Sequence, residues 1–126
     1  MRILGINALN HDAAVAVLED GDIKFAAHSE RYSRKKNDYL LNDEIMNEAL
    51  SYGEPDVVSY FEKPWLKKTR QFYAGQYDEV FRKDNTPKEY LKRWLGDTEI
   101  QYVQHHESHA SAGYYTSKFD EACVVV

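Results

Sequence analysis

RILGINALNHDAAVAVLEDGDIKFAAH, residues 2–28, decides how the fold is read. Apolar residues alternate or run on both sides of Asp20-Gly21, a dipeptide suited to the positive φ angles of a tight hairpin turn. The stretch therefore reads as three strands in an antiparallel meander. Further along, LLNDEIMNEALSYG (residues 40–53) sets Leu41, Ile45, Met46, Ala49 and Leu50 on one helical stripe, with Gly53 placed to end the helix. PDVVSYFEK then reads as a fourth strand, opened by Pro55. Residues 64–96 are charged and helical in two pieces, WLKKTRQFYAGQYDEVFRK and TPKEYLKRWLG, the second capped by Thr86 with Pro87 at its first position. EIQYVQ is strand-like, the histidine-rich segment after it helical, and EACVVV reads as a buried strand. The order βββ, α, β, α, β, α, β predicts an α/β fold, a mixed sheet covered by helices, with residues 64–96 as a helical insert.

Length and composition narrow the function. A chain of 126 residues suits one domain. Its 43% hydrophobic and 29% charged residues are ordinary for a folded protein. A formal net charge of -5 argues against general binding to a phosphate backbone, which needs clustered excess Lys and Arg. A single cysteine, Cys123, excludes an internal disulfide and a cysteine-cluster zinc site and fits a reducing, cytoplasmic setting. The opening residues lack the apolar core of a signal peptide, and no window reaches the roughly 20 apolar residues of a membrane span. The run ending at Val126 stops inside an apolar segment, so a longer protein is expected.

QHHESHASAGYYTSKF, residues 104–119, holds three of the five histidines. In a helix His105 and His109 share a face one turn apart, and His106 points about 100° away. Such a pair can chelate one Fe, Zn or Ni ion, with carboxylates from elsewhere completing the shell. Ala110, Ser111, Ala112 and Gly113 would let this helix lie close to the sheet. Two familiar zinc motifs do not fit. The zincin pattern H-E-x-x-H puts Glu directly after the first His, whereas Glu107 comes two residues after His105. The deaminase pattern needs a later P-C-x-x-C, and one cysteine cannot supply it. The plainer alternative is that these histidines only make hydrogen bonds at a strand-to-helix junction.

A second constellation lies nearer the amino terminus. Asn7, Asn10, His11 and Asp12 fall at the bend after the first strand, where short polar side chains and free amides meet ligands. HSERYSRKKND, residues 28–38, adds Arg31, Arg34, Lys35 and Lys36 at the end of the third strand, which returns beside the first hairpin. Cations near a turn suit a phosphate-bearing or carbonyl substrate, although a solvated basic patch explains them as well.

Taken together, ILGINALNHDAAVAVLEDGDI, AAHSERYSRKKND and HHESHASAGYYTSKFDEACVVV resemble the amino-terminal part of the O-carbamoyltransferases related to the nodulation and tobramycin enzymes. The likeness spans nearly the whole chain and is weakest over residues 64–96. It implies a ribonuclease H-like, actin-like ATPase half-domain of βββαβα form. It implies carbamoyl phosphate and ATP as co-substrates, forming a carbamoyl-adenylate on a carboxy-terminal domain. The carbamoyl group then passes to the hydroxyl of a small-molecule acceptor, with no nucleic acid and no membrane involved. An iron-type divalent ion is expected on the H-x-x-x-H pair, His105 and His109, with aspartates beyond Val126. The resemblance points to His11 and Lys36 as catalytic residues, with Asn37 where relatives often carry His. Asn10, Asp12 and Arg34 are the candidate substrate-binding residues. The competing reading is a non-catalytic half-fold that binds a partner or forms a homodimer. A sugar-kinase-like phosphorylation ranks lower, because NALNHDA has no glycine for a phosphate loop. The aromatics Trp65, Tyr73, Tyr77 and Trp94 of the insert are candidates for choosing the acceptor.

Overall fold

The computed structural model describes residues 1–81, 86–123 and 125, apart from the side chains of residues 79 and 81. Three strands come first: β1 (Arg2–Asn7), β2 (Ala14–Glu19) and β3 (Asp22–His28). Asp20 and Gly21 form the predicted two-residue turn, with φ of 52° and 93°. Positive φ at both central residues gives the turn a twist that matches the strands it joins. A short helix, α1 (Glu30–Ser33), and a longer one, α2 (Asp43–Ser51), lead to β4 (Val57–Tyr60). The insert contains α3 (Pro64–Tyr73), α4 (Tyr77–Phe81) and α5 (Pro87–Leu95), followed by β5 (Ile100–Tyr102) and α6 (His105–Tyr115).

The five strands form one mixed sheet in the order β3-β2-β1-β4-β5. β1 pairs antiparallel with β2 and parallel with β4, which pairs parallel with β5. Alternation along the strands sends Leu4, Ile6, Val15, Val17, Val58 and Tyr60 to one face, where they meet Ile45, Met46 and Ala49 of α2 and Leu91 of α5. Every one of these is at most 3% exposed. Burying such an aliphatic side chain stabilises by about 1.5–3 kcal/mol, so this face is the core. Asn42 starts α2 by accepting from the Ile45 amide at 3.0 Å, and Gly53, at φ 115°, ends its last turn.

α2 and α5 both cover this face. The β1–β4 and β4–β5 crossovers run in the same direction across the sheet, and right-handed connections then bring their helices to the same side. On the other face Gly5, Ala14, Ala16, Ala26 and Ser59 floor a groove of about 370 Å³.

Several expectations are corrected. EACVVV forms no strand among the described residues, since Glu121, Ala122 and Cys123 are irregular and exposed; residues 124 and 126 lie outside the described set. A run of strand-forming residues becomes a strand only beside a ladder partner, and none lies next to residues 121–123. The first insert piece breaks into two helices at Gly75, whose φ of 75° a helix cannot accommodate; its last two residues, 82 and 83, are outside the described set. Thr86 stands at the N-cap of α5, but its side chain makes no capping bond. The small residues expected to seat α6 on the sheet are mostly exposed, and α6 buries no residue. No helix among the described residues is long and apolar enough to cross a membrane.

Candidate active site at the strand ends

β1, β4 and β5 run parallel and end along one edge of the sheet, the edge where open α/β sheets place their ligands. Two loops meet there. Residues 8–13 follow β1, and residues 34–41 follow α1. The Leu9 amide donates to the Tyr39 carbonyl at 2.8 Å, and the Ala13 amide to the Asp38 carbonyl at 2.7 Å. The candidate residues from the two stretches are thereby brought onto adjoining loops. Leu9 and Asp12 hold positive φ, as do Arg34 and Asn37, so both loops are turned by strained residues.

The first loop is fastened along its length. The buried Tyr60 hydroxyl donates to the Ala8 carbonyl, and Lys67 Nζ to the Leu9 carbonyl at 3.0 Å. Asn7 Nδ2 donates to the Asp12 carbonyl at 3.2 Å. Asn10 and His11 are exposed at the tip. His11 Nδ1 lies 3.3 Å from Asp12 Oδ2. A proton on Nδ1 would be shared with this carboxylate and would leave Nε2 free as an acceptor. Asp12, expected to touch substrate, lies beside the His11 ring at the loop tip.

Lys36 and Arg34 are exposed on the second loop, and Arg34 forms the left-handed end of α1. Asp38 beneath them is buried and accepts from the Leu40 amide at 3.2 Å. Its carboxyl is held below the usual range by a hydrogen bond from Ser33, against the opposing effect of burial. A buried anion here anchors the turn that presents the cations.

α6 begins at the end of β5 with a capping box. Glu107 Oε2 accepts from the Gln104 amide at 3.4 Å. Glu107 is therefore a helix cap, which is why it stands off the histidine face. Ser108 Oγ donates to the Phe61 carbonyl at 3.1 Å and ties the helix to the end of β4. His105 packs on Phe61 with ring centroids 5.6 Å apart. As the spacing predicted, His105 and His109 face one another, with their Nε2 atoms 3.2 Å apart. An ion bound about 2.0–2.1 Å from each would see the two nitrogens roughly 100° apart, between octahedral and tetrahedral angles. Burial, and then the neighbouring His109, hold the His105 imidazole below the ordinary histidine range, so it offers a lone pair at neutral pH. The pair fits a divalent ion at Nε2. His105 Nδ1 is buried without a hydrogen-bond partner.

No group of three or more His, Cys, Asp or Glu among the described residues is placed to hold a metal. Nor does a hydrogen bond join His11 or Lys36 to the histidine pair; the two groups share the sheet edge. Sequence reasoning missed Glu62, buried at the end of β4, and Lys67 and Arg70 on α3. Arg70 Nη2 donates to Glu62 Oε1 at 3.0 Å. The available signal was the three-residue spacing of Lys67 and Arg70, which sets both cations on one helical face. Of the insert aromatics, Trp94 donates to Asp43 Oδ1 at 2.8 Å and packs on the core. Trp65, Tyr73 and Tyr77 are exposed.

Comparison with known proteins identifies the family. The family model described as carbamoyltransferase N-terminus matches residues 2–126. An uncharacterized protein of Synechocystis sp. is 30% identical over 152 aligned positions, which cover 98% of this chain and 24% of that protein. The chain thus spans about a quarter of the length of that curated relative. With a family match that runs nearly end to end, the chain belongs to the carbamoyltransferase N-terminus family.

Proposed function

We propose that this chain is the amino-terminal part of an O-carbamoyltransferase that moves a carbamoyl group from carbamoyl-adenylate to the hydroxyl of a small molecule. The adenylate would be formed from carbamoyl phosphate and ATP by polypeptide outside these residues. Facing imidazoles on α6, 3.2 Å apart at Nε2, are the observation that carries this reading, because they supply two ligands where a family match alone supplies none. The strand order β3-β2-β1-β4-β5, an antiparallel meander joined to two parallel strands, supports the actin-like half-domain.

His105 and His109 would hold a divalent ion, of the iron type by the resemblance, with further ligands from outside the chain. When bound, the ion would supply positive charge to the adenylate phosphate. The other roles fall to side chains. Lys36, exposed on its loop, would meet the negative charge that builds on the carbamoyl oxygen as the carbonyl carbon becomes tetrahedral. Asn10 and Arg34, at the same mouth, would bind the polar and phosphate portions of the substrate. His11, beside Asp12, would take the acceptor's proton at Nε2. The acceptor oxygen bonds to the carbamoyl carbon, the bond from that carbon to the adenylate oxygen breaks, and AMP leaves with its electron pair.

The test is to incubate the intact protein with ATP, carbamoyl phosphate and a panel of hydroxyl-bearing small molecules, and to search by mass spectrometry for a carbamoylated product. Product that requires both co-substrates and is lost in His11→Asn and Lys36→Ala is expected. ATP consumption indifferent to carbamoyl phosphate, with no product from any acceptor, would overturn the assignment.

A further inference from the structure

The insert helix α3 reaches back to the sheet edge through polar contacts. It buries no residue. Two of its cations, three positions apart and so on one face, reach the strand ends. Lys67 Nζ donates to the Leu9 carbonyl at 3.0 Å, and Arg70 Nη2 to the buried Glu62 at 3.0 Å. The first grips the loop that carries His11. The second grips the end of β4, next to Phe61, on which His105 packs. α3 is a strut fixed at two points of the site.

The grip on Leu9 falls where the backbone most needs one. Leu9 has a φ of 66°, a left-handed conformation unfavourable for any residue with a side chain, which persists only where its surroundings hold it. Its amide is held by the Tyr39 carbonyl, and its carbonyl by Lys67. His11 lies two residues on, where a turn about the Leu9 backbone displaces its ring directly.

We propose that Lys67 is a positioning residue for the transfer: its ammonium holds the Leu9 carbonyl, fixes the loop in its left-handed turn and so aims His11 at the acceptor hydroxyl. The insert then serves catalysis as well as any choice of acceptor. This proposal rests on the carbamoyltransferase reading for its catalytic half and on the loop geometry alone for its structural half.

The experiment keeps the two halves apart. Amide hydrogen exchange is followed in wild type, Lys67→Met and Lys67→Arg, and carbamoyl transfer is assayed in the same proteins. In Lys67→Met, exchange at Leu9 and Ala13 should rise at least tenfold while Val15 and Val17 in β2 stay as in wild type. The transfer kcat should fall by about 10–100-fold with acceptor KM little changed, the penalty of a misplaced catalytic group. Lys67→Arg, which can still donate to the carbonyl, should recover most of both. Because Lys67 lies outside the core, a cooperative melt near the wild-type Tm should accompany these changes. If Lys67→Met does not fold, Lys67→Gln, which shortens the donor and removes its charge, replaces it. Wild-type exchange at Leu9 and Ala13 overturns the clamp. Faster exchange with unchanged kcat overturns the positioning role, as does a fall in kcat that Arg does not rescue. A wild-type protein with no transfer activity tells against the proposed function, while the exchange data still decide the clamp.

Discussion

Ile45 and Met46 of α2 are wholly closed off from water against one face of the sheet, whereas α3 and α6, at the edge where the parallel strands end, bury no residue. The first region is held by apolar area, which is insensitive to the direction of any single contact. The second is held by individual hydrogen bonds to main-chain carbonyls: Tyr60 to Ala8, Lys67 to Leu9, Ser108 to Phe61. The contrast teaches that stability and chemistry are carried by different residues within a few turns of chain. The core fixes where the strands end, and directional bonds fix what is presented there.

That division can be broken most forcefully in the core. Ile45→Ala should lower unfolding free energy by about 2–5 kcal/mol, the cost of lost burial plus a cavity, measured by urea denaturation. The folded fraction should take up metal as wild type does. A loss of metal binding in that fraction would show the two regions to be one unit. Tyr60→Phe tests the joint between them, since its ring lies in the core and its hydroxyl holds the loop. Removing the hydroxyl strands the Ala8 carbonyl and should cost about 1–3 kcal/mol. Transfer should slow more than that loss of folded protein explains.

The smallest effect is in pH dependence. Burial holds the folded His105 pKa below the ordinary histidine value of 6.5, so as pH falls the unfolded chain takes up a proton first. Stability therefore declines as pH drops through about 6.5 and levels off once the folded imidazole is protonated too. Denaturation at a series of pH values should show this part of the slope removed in His105→Phe. An unchanged slope would place the ring in a more watery setting than the structure gives it.

Much of the core region was legible in the sequence. Asp20-Gly21 declared its turn through residue types that tolerate positive φ, and the stripe from Leu41 to Leu50 declared its helix through spacing. His105 and His109 were legible for the same reason: a helical period alone determines that they face each other. The polar edge was less readable. The contact of Asp12 with the His11 ring depends on side-chain rotamers, which spacing does not encode. Lys67 was not legible because its partner, the Leu9 carbonyl, lies 58 residues away, and the Glu62–Arg70 pair spans the break between β4 and α3, where helical spacing does not apply. EACVVV misled because apolar composition records a preference for strands, and the ladder partner that would realise it is a tertiary matter.

The central claim is that His105 and His109 share one divalent ion. Titrating the protein with Co²⁺ while following its visible absorption, in wild type, His105→Ala and His109→Ala, tests it most directly. The account predicts one ion with nitrogen-ligand character in wild type and at least a tenfold loss of affinity in each variant, since each removes a direct ligand. Wild-type affinity retained in both variants would contradict it.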